Sequence, residues 1–135
     1  MDKLYQKELL ALANIPRTAK KIDNATHIAE VNNPVCGDKV IASITLHNNL
    51  ITQAHITARG CALCEAGAGL WLESCIGHSL NELENTGKSL LAWLQHDSQI
   101  CPLDRAAPLT PVRDIKNRHK CVILAFQTST AFTPI

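Results

Sequence analysis

Neither sign of charge dominates this chain, and it has no long apolar stretch. Its 135 residues carry 13 basic and 12 acidic side chains, a formal net charge of +1, spread without a block of like charges. The cationic footprint that a phosphate backbone requires is missing, so nucleic acid is not expected as a partner. No apolar run approaches the roughly 20 residues of a membrane span. The opening Met1-Asp2-Lys3-Leu4-Tyr5 lacks the apolar stretch of a secretory signal. These absences predict a soluble, cytoplasmic protein with no membrane partner. Internal repeats, low-complexity tracts and linkers are also absent, so residues 1–135 read as a single domain. With 46% hydrophobic residues, such a domain can build its own core.

The chain does have six cysteines. In an exported chain they would suggest a disulfide framework; in a reducing compartment they point to metal binding or thiol chemistry. Cys75 and Cys101 have no Cys or His companion at ligand spacing and read as ordinary packed residues. The other four fall in three short motifs: Asn33-Pro34-Val35-Cys36-Gly37-Asp38, Gly60-Cys61-Ala62-Leu63-Cys64 and Arg118-His119-Lys120-Cys121.

The surrounding pattern predicts an α+β fold. Leu4, Leu9, Leu10, Leu12 and Ile15 mark an amphipathic helix over residues 2–13, closed by Pro16. Three strand-like runs follow at 26–31, 40–46 and 50–57. His47-Asn48-Asn49 supplies turn chemistry between the last two, which suggests a three-stranded antiparallel meander. Beyond Gly60 the chain reads as helical over 62–76, with Gly77 as the stop. Ser79-Leu80-Asn81-Glu82 is a capping box for the next helix, and 88–95 reads as another. Residues 101–111 hold three prolines and read as an irregular, exposed loop suited to docking a partner. The run 121–130 reads as helix by position, although its Val-Ile-Phe content also suits a strand. Several helices packed on a small sheet, with no βαβ repeat, complete the expected architecture.

Cys36, Asp38, Cys61 and Cys121 form a donor set that zinc accepts, soft thiolates with a carboxylate as a harder fourth ligand. Gly37 can turn the backbone sharply, so that a thiol and a carboxylate two residues apart face one point. Cys61 opens a helix, where unpaired N–H groups and the positive end of the dipole favour a thiolate. Arg118 and Lys120 beside Cys121 are either surface charge or stabilisers of a thiolate or persulfide there. Cys64, one helical turn after Cys61, is either a small buried side chain, a substitute ligand for Asp38, or a thiol that resolves a persulfide on Cys61. His119 is either a surface residue or a further ligand. His27, His47, His55, His78 and His96 have no ligand-like companion.

In order and spacing these motifs resemble the U-type iron-sulfur assembly proteins, the IscU, SufU and NifU N-terminal domain family. The likeness spans nearly the whole chain. It implies that Cys36, Cys61 and Cys121 are the three family cysteines and Asp38 the family aspartate. IscU-type chains carry a histidine immediately before the last cysteine, where this chain has Lys120. Arg118-x-Lys120-Cys121 and the 59 residues between Cys61 and Cys121 resemble SufU more closely. The resemblance therefore implies a zinc-bound sulfur acceptor that takes persulfide sulfur from a cysteine desulfurase. It makes Cys36 the acceptor, although the residues alone also allow Cys121. Two alternatives remain: a scaffold on which an iron-sulfur cluster is assembled and handed to acceptor proteins, and a binding module that zinc merely stabilises.

Overall fold

The computed structural model describes residues 3–135. A long first helix, α1 (Lys3–Thr18), leads into an antiparallel hairpin series β1 (His27–Asn33), β2 (Asp38–His47) and β3 (Leu50–Arg59). Helices α2 (Ala62–Ser74) and α3 (Leu80–Leu94) follow. An extended 3-10 stretch (Asp104–Asp114), a short helix α4 (His119–Ile123) and a further 3-10 segment (Leu124–Thr130) come next. A two-residue strand, β4 (Thr133–Pro134), ends the chain. The sheet order is β3-β2-β1-β4, so the expected three-stranded meander gains a fourth strand. β4 pairs with β1 only at His27 and Ile28 and is too short to leave a periodic signal in the sequence.

Alternation fixes the buried face of the sheet. Along β2, Asp38, Val40, Ala42 and Ile44 are buried while their neighbours are partly exposed. The β2–β3 turn is the two-residue Asn48-Asn49, both at positive φ (52° and 68°), which tight hairpins need and Asn tolerates. A register shift after Thr45 leaves Thr52 as a bulge. It switches the parity of β3, so that Ile51 and Ile56 both face inward despite an odd spacing.

α2 is the centre of the molecule: Cys64 through Trp71 are all buried, the signature of a helix covered on every side. Two glycines let neighbouring backbones approach it. A Cβ at Gly67 would collide with the Val122 carbonyl, and one at Gly69 with the Leu12 carbonyl. The Leu12 contact bears on α1, which does not stop at Pro16 as expected but runs on to Thr18 with Pro16 inside it. Proline removes the N–H that would bond the carbonyl four residues back, here that of Leu12. The freed oxygen turns to the bare Cα of Gly69 instead. Arg17, in the extra turn, forms a two-pronged ion pair with Glu65 of α2 at 2.5 and 2.6 Å.

Three other expectations change. The helices expected around Ser79 and over 88–95 are one continuous α3, because Gly87, a usual weak point, lies against Phe126, and a Cβ there would stand 2.7 Å from the Phe126 Cβ. The expected helix end at Ile76 falls two residues late, since α2 stops at Ser74. The proline-rich segment is not an exposed loop: Ala106, Pro108, Leu109 and Val112 are buried, which removes the reason for a docking surface there. Proline's fixed φ and missing donor suit the 3-10 path the segment takes. The capping box is present as read, with Ser79 Oγ accepting from the Glu82 N–H (3.1 Å) and Glu82 accepting from the Ser79 N–H (3.2 Å). No helix among the described residues is long and apolar enough to cross a membrane.

Candidate metal centre

The first thiol stands on the β1–β2 turn. Asn33 shapes this turn twice: its side-chain oxygen accepts the Val35 N–H (3.2 Å) and its carbonyl accepts the Gly37 N–H (2.8 Å). Gly37 has φ of 76°, and a Cβ there would meet nothing, so glycine serves conformation and not space. The turn leaves Cys36 exposed and Val35 beside it 91% exposed.

The carboxylate arises differently. Asp38 is the first residue of β2 and heads its inward row, which makes it 2% exposed. A buried carboxylate needs partners. One oxygen (Oδ2) accepts the Cys36 thiol at 2.9 Å, and the other (Oδ1) accepts the Cys61 N–H at 3.2 Å. Asp38 thus sits at the N-terminus of α2, where the helix dipole favours an anion. Gly60 makes room for it, because a Cβ at Gly60, whose φ is 155°, would overlap the Asp38 carboxylate.

The last thiol comes from α4. Cys121 is fully buried, and its Sγ lies 3.6 Å from Cys36 Sγ. Burial, then hydrogen bonds with Asp38 and Cys36, push its pKa far above the usual thiol range. The expectation that basic neighbours would favour a thiolate there meets this stronger opposing cause. Arg118 does face the site: its pKa is raised by a hydrogen bond with Cys121 and by the charges of Cys61, Cys121 and Cys36.

Cys36, Asp38 and Cys121 form a group whose ligand atoms all lie within 4.8 Å of one another. Two thiolates on a tetrahedral zinc with Zn–S bonds near 2.3 Å stand about 3.8 Å apart. The observed 3.6 Å between sulfurs is close to that edge, so the residues fit such an ion. Cys61 lies outside this closest group. It is half-exposed as N-cap of α2, makes no capping bond through its side chain, and touches the cluster through its N–H to Asp38.

The auxiliary candidates separate. His119 is buried with its Nε2 committed to the carbonyls of Val112 (2.9 Å) and Arg113 (3.1 Å), so it is neither a surface residue nor one of the converging ligands. Lys120 lines a groove with Gln95, Arg113 and Lys116 and not the thiol cluster. Successive helical residues point about 100° apart, which is why residues adjacent to Cys121 in sequence do not share its face. Cys64 is buried, its pKa pushed up to about 12 by burial and then by Asp38, Cys61 and Cys36. Cys75 and Cys101 donate to the carbonyls of Leu72 and Leu103 and take no part. Sequence reasoning overlooked Asn33 and the spacing role of Gly60. Their signals were there, in an Asn-Pro turn start and a glycine directly before a helix-opening cysteine.

The NifU-like N terminal domain family matches residues 4–92. The iron-sulfur cluster assembly scaffold protein IscU of Thermotoga maritima is 32% identical over 130 residues, covering 93% of this chain and 89% of that protein. The zinc-dependent sulfurtransferase SufU of Bacillus subtilis is 23% identical over 130 residues, covering 94% and 87%. Among solved structures, the N-terminal NifU-like protein of Brucella abortus superposes with a TM-score of 0.77 at 24% identity, over 92% of this chain and 88% of that one. A putative assembly scaffold protein for the SUF system of Fervidobacterium islandicum gives 0.72 at 23% identity, covering 92% of both chains. These two share the fold.

Proposed function

This chain belongs to the NifU-like N-terminal domain family and is an iron-sulfur cluster assembly protein of the IscU, SufU and NifU type, and from that premise we propose that it is a zinc-binding sulfur acceptor serving a cysteine desulfurase in the cytoplasm. The observation that carries this reading is the asymmetry of its sulfurs: Cys36 is exposed on a projecting turn, while Cys121, 3.6 Å away, is fully buried. A sulfur acceptor needs one thiol that a partner's persulfide can reach, backed by groups that stay in place.

Cys36, Asp38, Cys61 and Cys121 are the residues that would hold the metal. A zinc ion there would supply the positive charge that keeps thiols ionised near neutral pH. Asp38 Oδ2, 2.9 Å from Cys36 Sγ, holds that sulfur beside the site. Cys36 Sγ then attacks the terminal sulfur of the desulfurase persulfide. A new S–S bond forms on Cys36, the partner's S–S bond breaks, and the partner's cysteine leaves as a thiolate. The exposed Val35 beside Cys36 suits contact with that partner.

A scaffold role is the second reading, favoured by the 32% identity to a protein named as an IscU scaffold. In it the same four residues would receive an iron-sulfur cluster as cargo. Metal content and the ultraviolet-visible spectrum of anaerobically purified protein separate the two. The acceptor reading expects about one zinc per chain, no visible absorbance, and stimulation of desulfurase turnover that Cys36→Ala abolishes. Iron with sulfide and a visible charge-transfer band, without such stimulation, would put the scaffold first.

A further inference from the structure

Cys64 is the cysteine near the site to which the sulfur-acceptor reading gives no task. In Cys61-Ala62-Leu63-Cys64 the first thiol is on the half-exposed N-cap of α2, and the second lies buried inside the first turn. The Glu65 N–H donates to the Cys61 carbonyl (3.2 Å), which holds Cys61 on the helical cylinder. Helical residues three apart have Cα atoms about 5 Å apart, inside the range a disulfide spans. Cys75 and Cys101 donate to backbone carbonyls, but the Cys64 thiol makes no hydrogen bond among the described residues. Burial first, and then the charges of Asp38, Cys61 and Cys36, raise the Cys64 pKa to about 12.

We propose that Cys61 and Cys64 form a dithiol that reduces sulfane sulfur received at this site to sulfide. This deepens the sulfur-acceptor reading and rests on it. The Cys61 thiolate attacks the terminal sulfur of a Cys36 persulfide, and Cys36 leaves as a thiolate. Cys64 Sγ then attacks Cys61 Sγ, the Cys61 persulfide bond breaks, and the departing sulfide keeps the Cys64 proton. The sulfur gains two electrons and the two cysteines lose them as they join in a disulfide. An external dithiol reductant resets the pair. The division of labour follows exposure, with the reachable N-cap thiol taking sulfur and the sheltered one displacing it.

The test uses the whole chain, as purified and anaerobic, exposed to glutathione persulfide and then freed of small molecules. Free sulfide is trapped and assayed during the exposure, before that removal and against persulfide without protein; extra sulfur on each cysteine and any Cys61–Cys64 disulfide are then mapped by mass spectrometry. Wild type is expected to release about one sulfide per chain and to acquire the Cys61–Cys64 disulfide. Cys64→Ala and Cys64→Ser are expected to keep the added sulfur and to release at least about tenfold less sulfide. If both variants misfold, the wild-type disulfide map decides alone. Wild type that gains sulfur on Cys36 but forms neither sulfide nor the disulfide overturns the dithiol step only. Absence of added sulfur from Cys36 in every folded protein, together with neither sulfide nor the disulfide in wild type, overturns the acceptor reading and this step with it.

Discussion

Cys36 and Cys121 lie 85 positions apart in the chain, yet their sulfurs approach to 3.6 Å, one at the surface and the other fully buried. The contact closes the site between the first hairpin turn and the last α-helix, so its geometry depends on how α2, β2 and α4 pack.

Asp38 binds both the Cys36 thiol and the Cys61 N–H. Replacing it by Ala is expected to weaken zinc binding at least about 100-fold, more than loss of an outer-shell partner normally does. Asp38→Asn, which keeps an oxygen for the Cys61 N–H, should fold better than Asp38→Ala while still binding poorly. Competition with a chromophoric chelator measures this; unchanged affinity in both variants would remove Asp38 from the ligand set.

Gly60→Ala puts a methyl group into the Asp38 carboxylate at a φ of 155°. The fold should lose about 1–3 kcal/mol, and zinc content should fall with it. Gly37→Ala, with open space at its Cβ, carries only the conformational cost and should retain more metal. Urea denaturation and metal analysis of both variants would show whether they differ in this order.

Gly67→Ala pushes α2 away from the Val122 carbonyl, one residue from Cys121. A backbone cannot step aside as a flexible side chain can, so a loss of about 2–4 kcal/mol is expected, together with reduced zinc affinity. A variant destabilised to this degree that still bound zinc like wild type would show that α4 position and site geometry are uncoupled.

Burial pushes the thiols of Cys64 and Cys75 from 9.0 to about 12. Because the folded value lies above the unfolded one, the fold holds these protons longer. The stability they contribute is whole below about pH 9 and is lost as pH rises toward 12. The urea midpoint of metal-stripped protein should therefore fall across that window. Cys75→Ala, whose raised pKa comes from burial and not from the cluster, should show a shallower fall. Equal slopes for variant and wild type between about pH 8 and about pH 10.5 would rule out this account.

Much of the fold was legible because local signals agree with tertiary packing. The hairpin turn at Asn48-Asn49, the capping box at Ser79 and the alternation of β2 each act within a few residues. Pro16 and Gly87 misled because their usual local effects are overridden by distant partners, Gly69 and Phe126, that no window around them contains. β4 has only two residues and exists through its pairing with β1. At the site, motif spacing pointed to Cys36, Asp38, Cys61 and Cys121, of which Cys36, Asp38 and Cys121 bring their ligand atoms within 4.8 Å of one another while Cys61 lies outside that group. It did not reveal that Lys120 lines a separate groove or that His119 is bound to carbonyls, because those outcomes depend on the phase of a five-residue helix. The burial that holds the proton on Cys121 was likewise hidden, since it arises from elements far away in sequence.

Asp38 occupies the first inward position of a row whose other members are Val40, Ala42 and Ile44. The aim of the carboxylate is therefore inherited from the greasy side of the sheet, which works as a jig for the chemistry at its rim. A slip of one residue between β1 and β2 would expose three apolar side chains and the acid together. Correct registration of the hairpin and correct assembly of the site are thus a single event, and a chain misaligned at β2 would be both poorly folded and chemically blank.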